Sequence, residues 1–382
     1  MNPKVATQAP ARPAEPTAAK NKTFPCSSCG GKLEFQPGLR ALKCPYCGAE
    51  TAIPAGDEAA QEDAIARQDY DQMASVAPEE PPIPAQKIKC PACSAETSLP
   101  QNITSDRCAF CAAPAIATTA YATRKIKPQA VAPFDIKERD ARESFTKWVK
   151  KLWFAPNALK RMARIDKGLK GHYVPFFTYD AETVSDYTGE RGTDYTVTEN
   201  VTVNGKTERR EVIKTEWHRV SGTVRVDFDD IPIVASGSVP IDHAEALEPW
   251  SFEKLAPYSD SYISGFVVEA YQQGLKPGFE RACAKMVPVI RQHIERDIGG
   301  DHQRIHNVNT RYSDKTFRHL LLPIWISAYQ YSGKTYRFLV NGQTGLVRGE
   351  RPWSVIKIVL ASIAGAALLY GVWRLTHNSP AQ

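Results

Sequence analysis

Four closely spaced cysteine pairs, a middle region of alternating β-branched residues and an apolar run near the C-terminus predict a three-part fold. The parts are two small knuckle units built on β-hairpins, a β-rich α+β domain and one C-terminal helix long enough to cross a membrane. The chain has 382 residues, 42% hydrophobic and 24% charged, which is the composition of a globular protein. That length allows one sizeable core beside small satellite units. The formal charge of +6 permits weak attraction to nucleic acid or anionic lipid, but no dense Lys/Arg run marks a dedicated nucleic-acid binder.

Residues 1–22 are rich in Ala and Pro and hold no apolar stretch, so they predict a disordered tail rather than a signal peptide. Eight of the nine cysteines then follow in strict Cys-x-x-Cys pairs. The first block, residues 23–53, reads Cys26-x2-Cys29-x14-Cys44-x2-Cys47. The second, residues 87–119, reads Cys90-x2-Cys93-x14-Cys108-x2-Cys111 and repeats the first 64 residues further on. The repetition predicts an internal duplication. A disulfide scaffold scatters its cysteines, whereas paired spacing fits a metal site in a reducing compartment.

Each Cys-x-x-Cys can turn two thiolates toward one ion, and two facing turns complete a tetrahedral sulfur shell with Zn–S near ~2.3 Å. The expected fold of each block is a zinc ribbon, so the prediction is two Zn2+ ions and eight ligands. Iron in a similar shell and a redox dithiol are the competing readings. Units this small hold little core, so metal binding is expected to supply most of their folding energy. Gly30 and Gly48 follow the knuckles of the first block; Ser94 and Ala112 stand in their places in the second, where a left-handed turn is harder to form. Residues 54–86, rich in Ala, Glu, Asp and Pro, read as a linker with one short exposed helix.

Residues 126–351 form the predicted α+β domain. Phe145, Trp148, Val149, Leu152 and Trp153 fall at helical spacing within 137–165, and Pro156 breaks that run. From Gly171 to Ala235 the pattern turns strand-like, and Asn204-Gly205 marks a two-residue hairpin. A helix follows over Pro277–Ile298, with Phe279, Ala282, Met286, Ile290 and Ile294 on one face, ended by Gly299-Gly300. Strands resume through Val347, with turns at Ser332-Gly333 and Asn341-Gly342.

Residues 354–375 predict the membrane helix, centred on VIKIVLASIAGAALLYGVW, with 376–382 as a short tail. Lys357 stands at its edge, where its ammonium can snorkel, and Trp353, Tyr370 and Trp373 form aromatic belts. Arg348, Arg351 and Lys357 precede the apolar core against Arg374 after it. The positive-inside bias therefore predicts a single-pass protein of the inner (cytoplasmic) membrane with its bulk in the cytoplasm. Ala361 and Gly365 are spaced to let two such helices meet, the basis for a homodimer.

Other patterns resemble chemistry without supporting it. Ala328–Thr335 matches a loose phosphate loop, but two tyrosines and a following strand suit a hairpin instead. Asp301, His302 and His306 look extended, so the two histidines stand about 13 Å apart. Asp227, Asp229 and Asp230 read as a solvated strand end, and Cys283 as a core residue. With no catalytic pair and no helicase motif, the chain reads as a non-enzyme.

Several stretches carry a family resemblance: Gly171–Glu182, Val220–Gly222, Phe228–Asp230, Leu247–Trp250, Asp297–His306, Leu321–Leu346 and Gly349–Pro352. Through these and the cysteine blocks the chain resembles bacterial membrane-anchored zinc-ribbon proteins of the transcription-factor-IIB type. Members are often labelled as similar to primosomal protein N-prime, a superfamily II helicase. A neighbouring family implies partnership with membrane stress systems of the phage-shock type. The expected function is thus a membrane-anchored zinc-binding adaptor that recruits proteins. The alternative is a membrane-tethered, nucleic-acid-binding accessory factor of replication or transcription.

Overall fold

The fold comes from a computed structural model that describes residues 24–53, 62, 65–76, 86–89, 96–99, 103–107, 114–116, 126–157, 159, 169–203, 206–331 and 334–377. The first cysteine block is a three-stranded antiparallel sheet of β1 (Glu34–Gln36), β2 (Ala41–Lys43) and β3 (Glu50–Ala52). The chain between the blocks supplies β4 (Gln68–Asp69) and α1 (Tyr70–Val76). The second block supplies β5 (Gln86–Lys89), β6 (Glu96–Leu99), β7 (Ile103–Arg107) and β8 (Pro114–Ile116). Then come β9 (Ala130–Val131), α2 (Glu138–Lys151), β10 (Lys170–Val203), β11 (Lys206–Val234) and α3 (Ile241–Glu245). They are followed by β12 (Ala256–Pro257), α4 (Asp260–Ile263), β13 (Val267–Glu269) and α5 (Leu275–Ile298). The last elements are β14 (His302–Tyr331), β15 (Lys334–Asn341), β16 (Val347–Gly349) and α6 (Val355–His377).

Three very long strands form the axis of the molecule. β10 lies between β11 and β14 and is antiparallel to both. Its 34 residues span about 110 Å at ~3.3 Å per residue. The β10–β11 register closes on Val203↔Lys206, either side of the Asn204-Gly205 pair that predicts the turn; those two residues lie outside the described set. β14 stops pairing at Gly192↔His302, so the β10–β11 hairpin runs on alone for about 36 Å as a two-stranded arm. Tyr195 and Ile213 are exposed on it.

α5 covers one face of these strands. Leu275, Gly278, Ala282, Met286, Ile290, Ile294 and Ile298 recur every third or fourth residue and are buried there, as the sequence predicts for most of them. Gly278 has a steric role: a Cβ would sit 2.2 Å from Tyr179 Oη, which donates to the Leu275 carbonyl at 2.8 Å. At the far end Tyr187 Oη donates to Asp297 Oδ2 at 2.6 Å, and Gly222 makes room for that pair. Gly299 and Gly300, with φ 65° and 74°, end the helix and turn the chain into β14.

Two expectations need correction. Residues 54–86 are not simply a linker: β4 pairs with β14, and α1 buries Tyr70 and Ala74. The Tyr70 ring lies 4.6 Å from that of Phe279, close enough to repay the order imposed on the segment. Nor are the cysteine blocks separate from the α+β domain. β7 pairs with β13 and so joins the main sheet, while Leu33, Phe35 and Leu42 of the first block share a core with Phe134, Phe266 and Trp325. Burial of each such side chain contributes about 1.5–3 kcal/mol. Docking therefore adds to whatever an ion contributes to folding of that block.

Candidate metal centre

Cys26 and Cys29 sit in a turn closed by the Pro25↔Lys32 bridge, and Cys44 and Cys47 in a turn closed by the Lys43↔Glu50 pair. Gly30 N–H donates to the Cys26 carbonyl at 2.9 Å and Gly48 N–H to the Cys44 carbonyl at 3.0 Å. Those bonds require φ of +68° and +77°, the left-handed region in which glycine is favoured. A Cβ on Gly31 would lie 3.2 and 3.3 Å from the sulfurs of Cys29 and Cys44, so this glycine lets the two knuckles close together.

The four sulfurs lie within 4.8 Å of one another. Cys26 Sγ is 3.6 Å from Cys47 Sγ, and Cys29 Sγ is 3.5 Å from Cys44 Sγ. A disulfide would bring them to about 2.0 Å, whereas the edge of a tetrahedron with ~2.3 Å metal–sulfur bonds is about 3.8 Å. The cluster can thus hold a metal ion such as zinc with all four positions filled, which leaves none for a substrate.

Electrostatics favour a cation at the centre. The amides of Ser28 and Cys29 pull Cys26 down to about 6, and the Cys47 amide lowers Cys44. The Gly31 amide acts on Cys29 in the same direction. The neighbouring sulfurs of Cys47 and Cys44 outweigh it and push Cys29 up to about 12. Four thiolates this close cannot all ionise without a positive charge among them, and a bound cation removes that obstacle.

Cys90, Cys93, Cys108 and Cys111 lie outside the described residues, as do Ser94 and Ala112. The strands that flank them are described. Lys89 pairs with Glu96 and Arg107 with Pro114. Moved back by 64 residues these are Pro25↔Lys32 and Lys43↔Glu50, the two pairs that close the first block's knuckles. Both blocks also meet the same piece of the body. Phe35 N–H donates to the Ser264 carbonyl at 3.1 Å, while Thr104 and Ser105 hydroxyls donate to the carbonyls of Val268 and Phe266.

A second polar cluster escaped sequence reasoning. Asp229 and Asp230 are not a free strand end: they meet Asp180, with ligand atoms within 4.8 Å. The cause is a double irregularity, in which β11 bulges at Asp230 (φ 52°) and β14 at Asp314 (φ 47°) opposite the same part of β10. Asp180 accepts from Asp230 N–H at 2.6 Å and from the Thr316 hydroxyl at 2.5 Å. Arg67 reaches Asp180 at 2.9 Å and also Asp229, while Arg318 pairs with Asp230. Burial still pushes the Asp180 carboxyl up against those donors. With two guanidiniums in place, the group is an ion-pair network rather than a cation site.

Glu269 is another buried group without an earlier sign. Its Oε2 accepts from the hydroxyls of Ser236 and Ser238 at 2.6 and 2.5 Å, and His172 Nδ1 lies 3.5 Å from Oε1. Burial pushes this carboxyl up, but His172 and the two serines hold it below the usual range. The sequence offered only a lone Glu after two valines, which is weak evidence of burial.

The remaining candidates behave as strands. His302 and His306 lie on β14 and pair with different carboxylates, Asp194 at 3.0 Å and Glu190 at 3.6 Å. Residues 328–331 and 334–335 belong to β14 and β15, which pair as a hairpin around Ser332-Gly333; those two residues lie outside the described set.

No family model matches the chain, and no solved structure matches it. Among curated proteins it is similar to the "Uncharacterized protein YdjG" of Bacillus subtilis (strain 168), with 29% identity over 256 residues. The matched region covers 64% of this chain and 70% of that one.

Proposed function

We propose that the chain is a membrane-anchored adaptor that holds two zinc ions and uses its cysteine blocks and α+β body to recruit proteins at the cytoplasmic face of a bacterial inner membrane. The observation that carries this reading is the closed four-sulfur cluster docked on the same body from which a bare apolar helix departs. Within the Val355–Arg374 span of α6 the most apolar 18-residue window has a mean hydropathy of 2.1, with none of that window buried. Its length and apolar surface suit a bilayer, and the cationic residues before it favour a cytoplasmic body. A second zinc ion is supported by the register that the two blocks share. A saturated sulfur shell suits a structural ion, and the long arm offers surface for partners.

Purified full-length protein is expected to carry two zinc ions per chain, falling to one in Cys44→Ser or Cys108→Ser. The recruiting role is tested by affinity capture of the detergent-solubilised protein from native cells, with and without nuclease. The expected result is a nuclease-resistant set of membrane proteins that a Cys26→Ser/Cys90→Ser variant loses. Capture of replication or transcription proteins only while nucleic acid is intact would overturn it in favour of the nucleic-acid reading.

A further inference from the structure

The membrane helix is joined to the body by more than the chain itself. Ser354 N–H donates to the Phe154 carbonyl at 2.8 Å. Lys357, expected to snorkel, instead donates to the carbonyls of Trp153 at 3.2 Å and Ala155 at 2.8 Å and to Asn157 Oδ1 at 2.9 Å. These bonds pin the turn after α2 beside the first turn of α6, at the level where the helix would enter a bilayer.

What this junction exposes is unusual for a soluble surface. Trp153 is 77% exposed and follows Lys150 and Lys151, both exposed, in the last turn of α2. Trp353 is 54% exposed, with the Arg351 guanidinium 4.3 Å from its ring centre. Phe154, Trp353, Ile358, Ala361 and Ser362 line a shallow groove of about 420 Å³. Glu350, next to Arg351, accepts from the Arg337 N–H. Indoles beside cations suit the headgroup layer, where one end of a side chain is wet and the other apolar. Their continuity with α6 favours a bilayer over a soluble protein as the occupant.

We propose that this junction is a second membrane contact, a surface for anionic phospholipid headgroups. Trp153 and Trp353 lie in the interface, and Lys150, Lys151 and Arg351 supply the charge. The inference rests on α6 crossing the bilayer. It gives the body a fixed seat on the membrane in place of a free tether.

The test uses the full chain reconstituted in vesicles of phosphatidylcholine with or without phosphatidylglycerol. Tryptophan quenching is read with lipids brominated either near the headgroup or near the bilayer midplane. Wild type should show a headgroup-level quenched component that Trp153→Phe lacks. That component should fall several-fold in Lys150→Glu/Lys151→Glu, and only when phosphatidylglycerol is present. Equal headgroup-level quenching in wild type and Trp153→Phe overturns the proposal, as does a Trp153 component indifferent to anionic lipid. Midplane quenching gained in Ala364→Trp, at the middle of the Val355–Arg374 span, reports insertion of α6 separately. If it is seen without a Trp153 signal, only the seat is wrong; if it too is missing, the anchor fails as well.

Discussion

Single residues decide how well the four-cysteine cluster closes. In the first block the left-handed turns fall on Gly30 and Gly48, and neither has an atom within 4 Å of a Cβ position. A side chain there would cost conformation rather than space, about 1–2 kcal/mol per turn. The second block carries Ser94 and Ala112 at the equivalent positions. On the two-zinc proposal, the second block's ion should therefore leave first when the full chain is titrated with a chromophoric chelator, and Ala112→Gly should slow that phase several-fold. An unchanged release rate in Ala112→Gly would show that the turn is not strained. The first cluster's four cysteines and the glycines at its turns can be read from residue identity, because thiolate chemistry and φ preference are local properties. The Asp180 and Glu269 clusters cannot, because each is assembled from residues more than 30 positions apart.

At the scale of elements, α5 fixes the face that the long strands bury. Gly278→Ala would place a methyl 2.2 Å from Tyr179 Oη and push the helix off the sheet, at about 1–3 kcal/mol. Tyr179→Phe removes the offending oxygen along with its bond to Leu275. In a thermal-unfolding double-mutant cycle the two changes should cost less together than the sum of their single effects; strict additivity would mean the contact is not what limits the packing. The apolar stripe of α5 and the Asn-Gly turn are visible in sequence as periodicity and turn chemistry. The extent of β10, β11 and β14 is not. A period of two says that a strand is half-buried, but not how far a neighbour accompanies it or where bulges at Asp230 and Asp314 reset the register.

For the whole molecule, the chain between the cysteine blocks acts as a clamp. Arg67 ties it to Asp180, Lys315 pairs with Asp71 at 2.6 Å, and Tyr70 is buried against Tyr179 and Phe279. Arg67→Ala would leave the Asp180 carboxylate, already pushed up by burial, with fewer donors. Amide hydrogen exchange over 68–76 should then accelerate tenfold or more, about 1.4 kcal/mol or more of lost local stability, with partial recovery in Arg67→Ala/Asp180→Asn. Unchanged exchange would mean that apolar contacts alone hold the segment. The cysteine spacing, the apolar helix and the strand-rich middle were legible in the chain, because each is written in adjacent residues and elementary chemistry. Docking of the blocks on the Ser264–Glu269 segment, packing of the linker on the sheet and the tie of Lys357 to the body came from folding. Those outcomes depend on which distant surfaces meet, and a one-dimensional pattern does not encode the partner of a buried face.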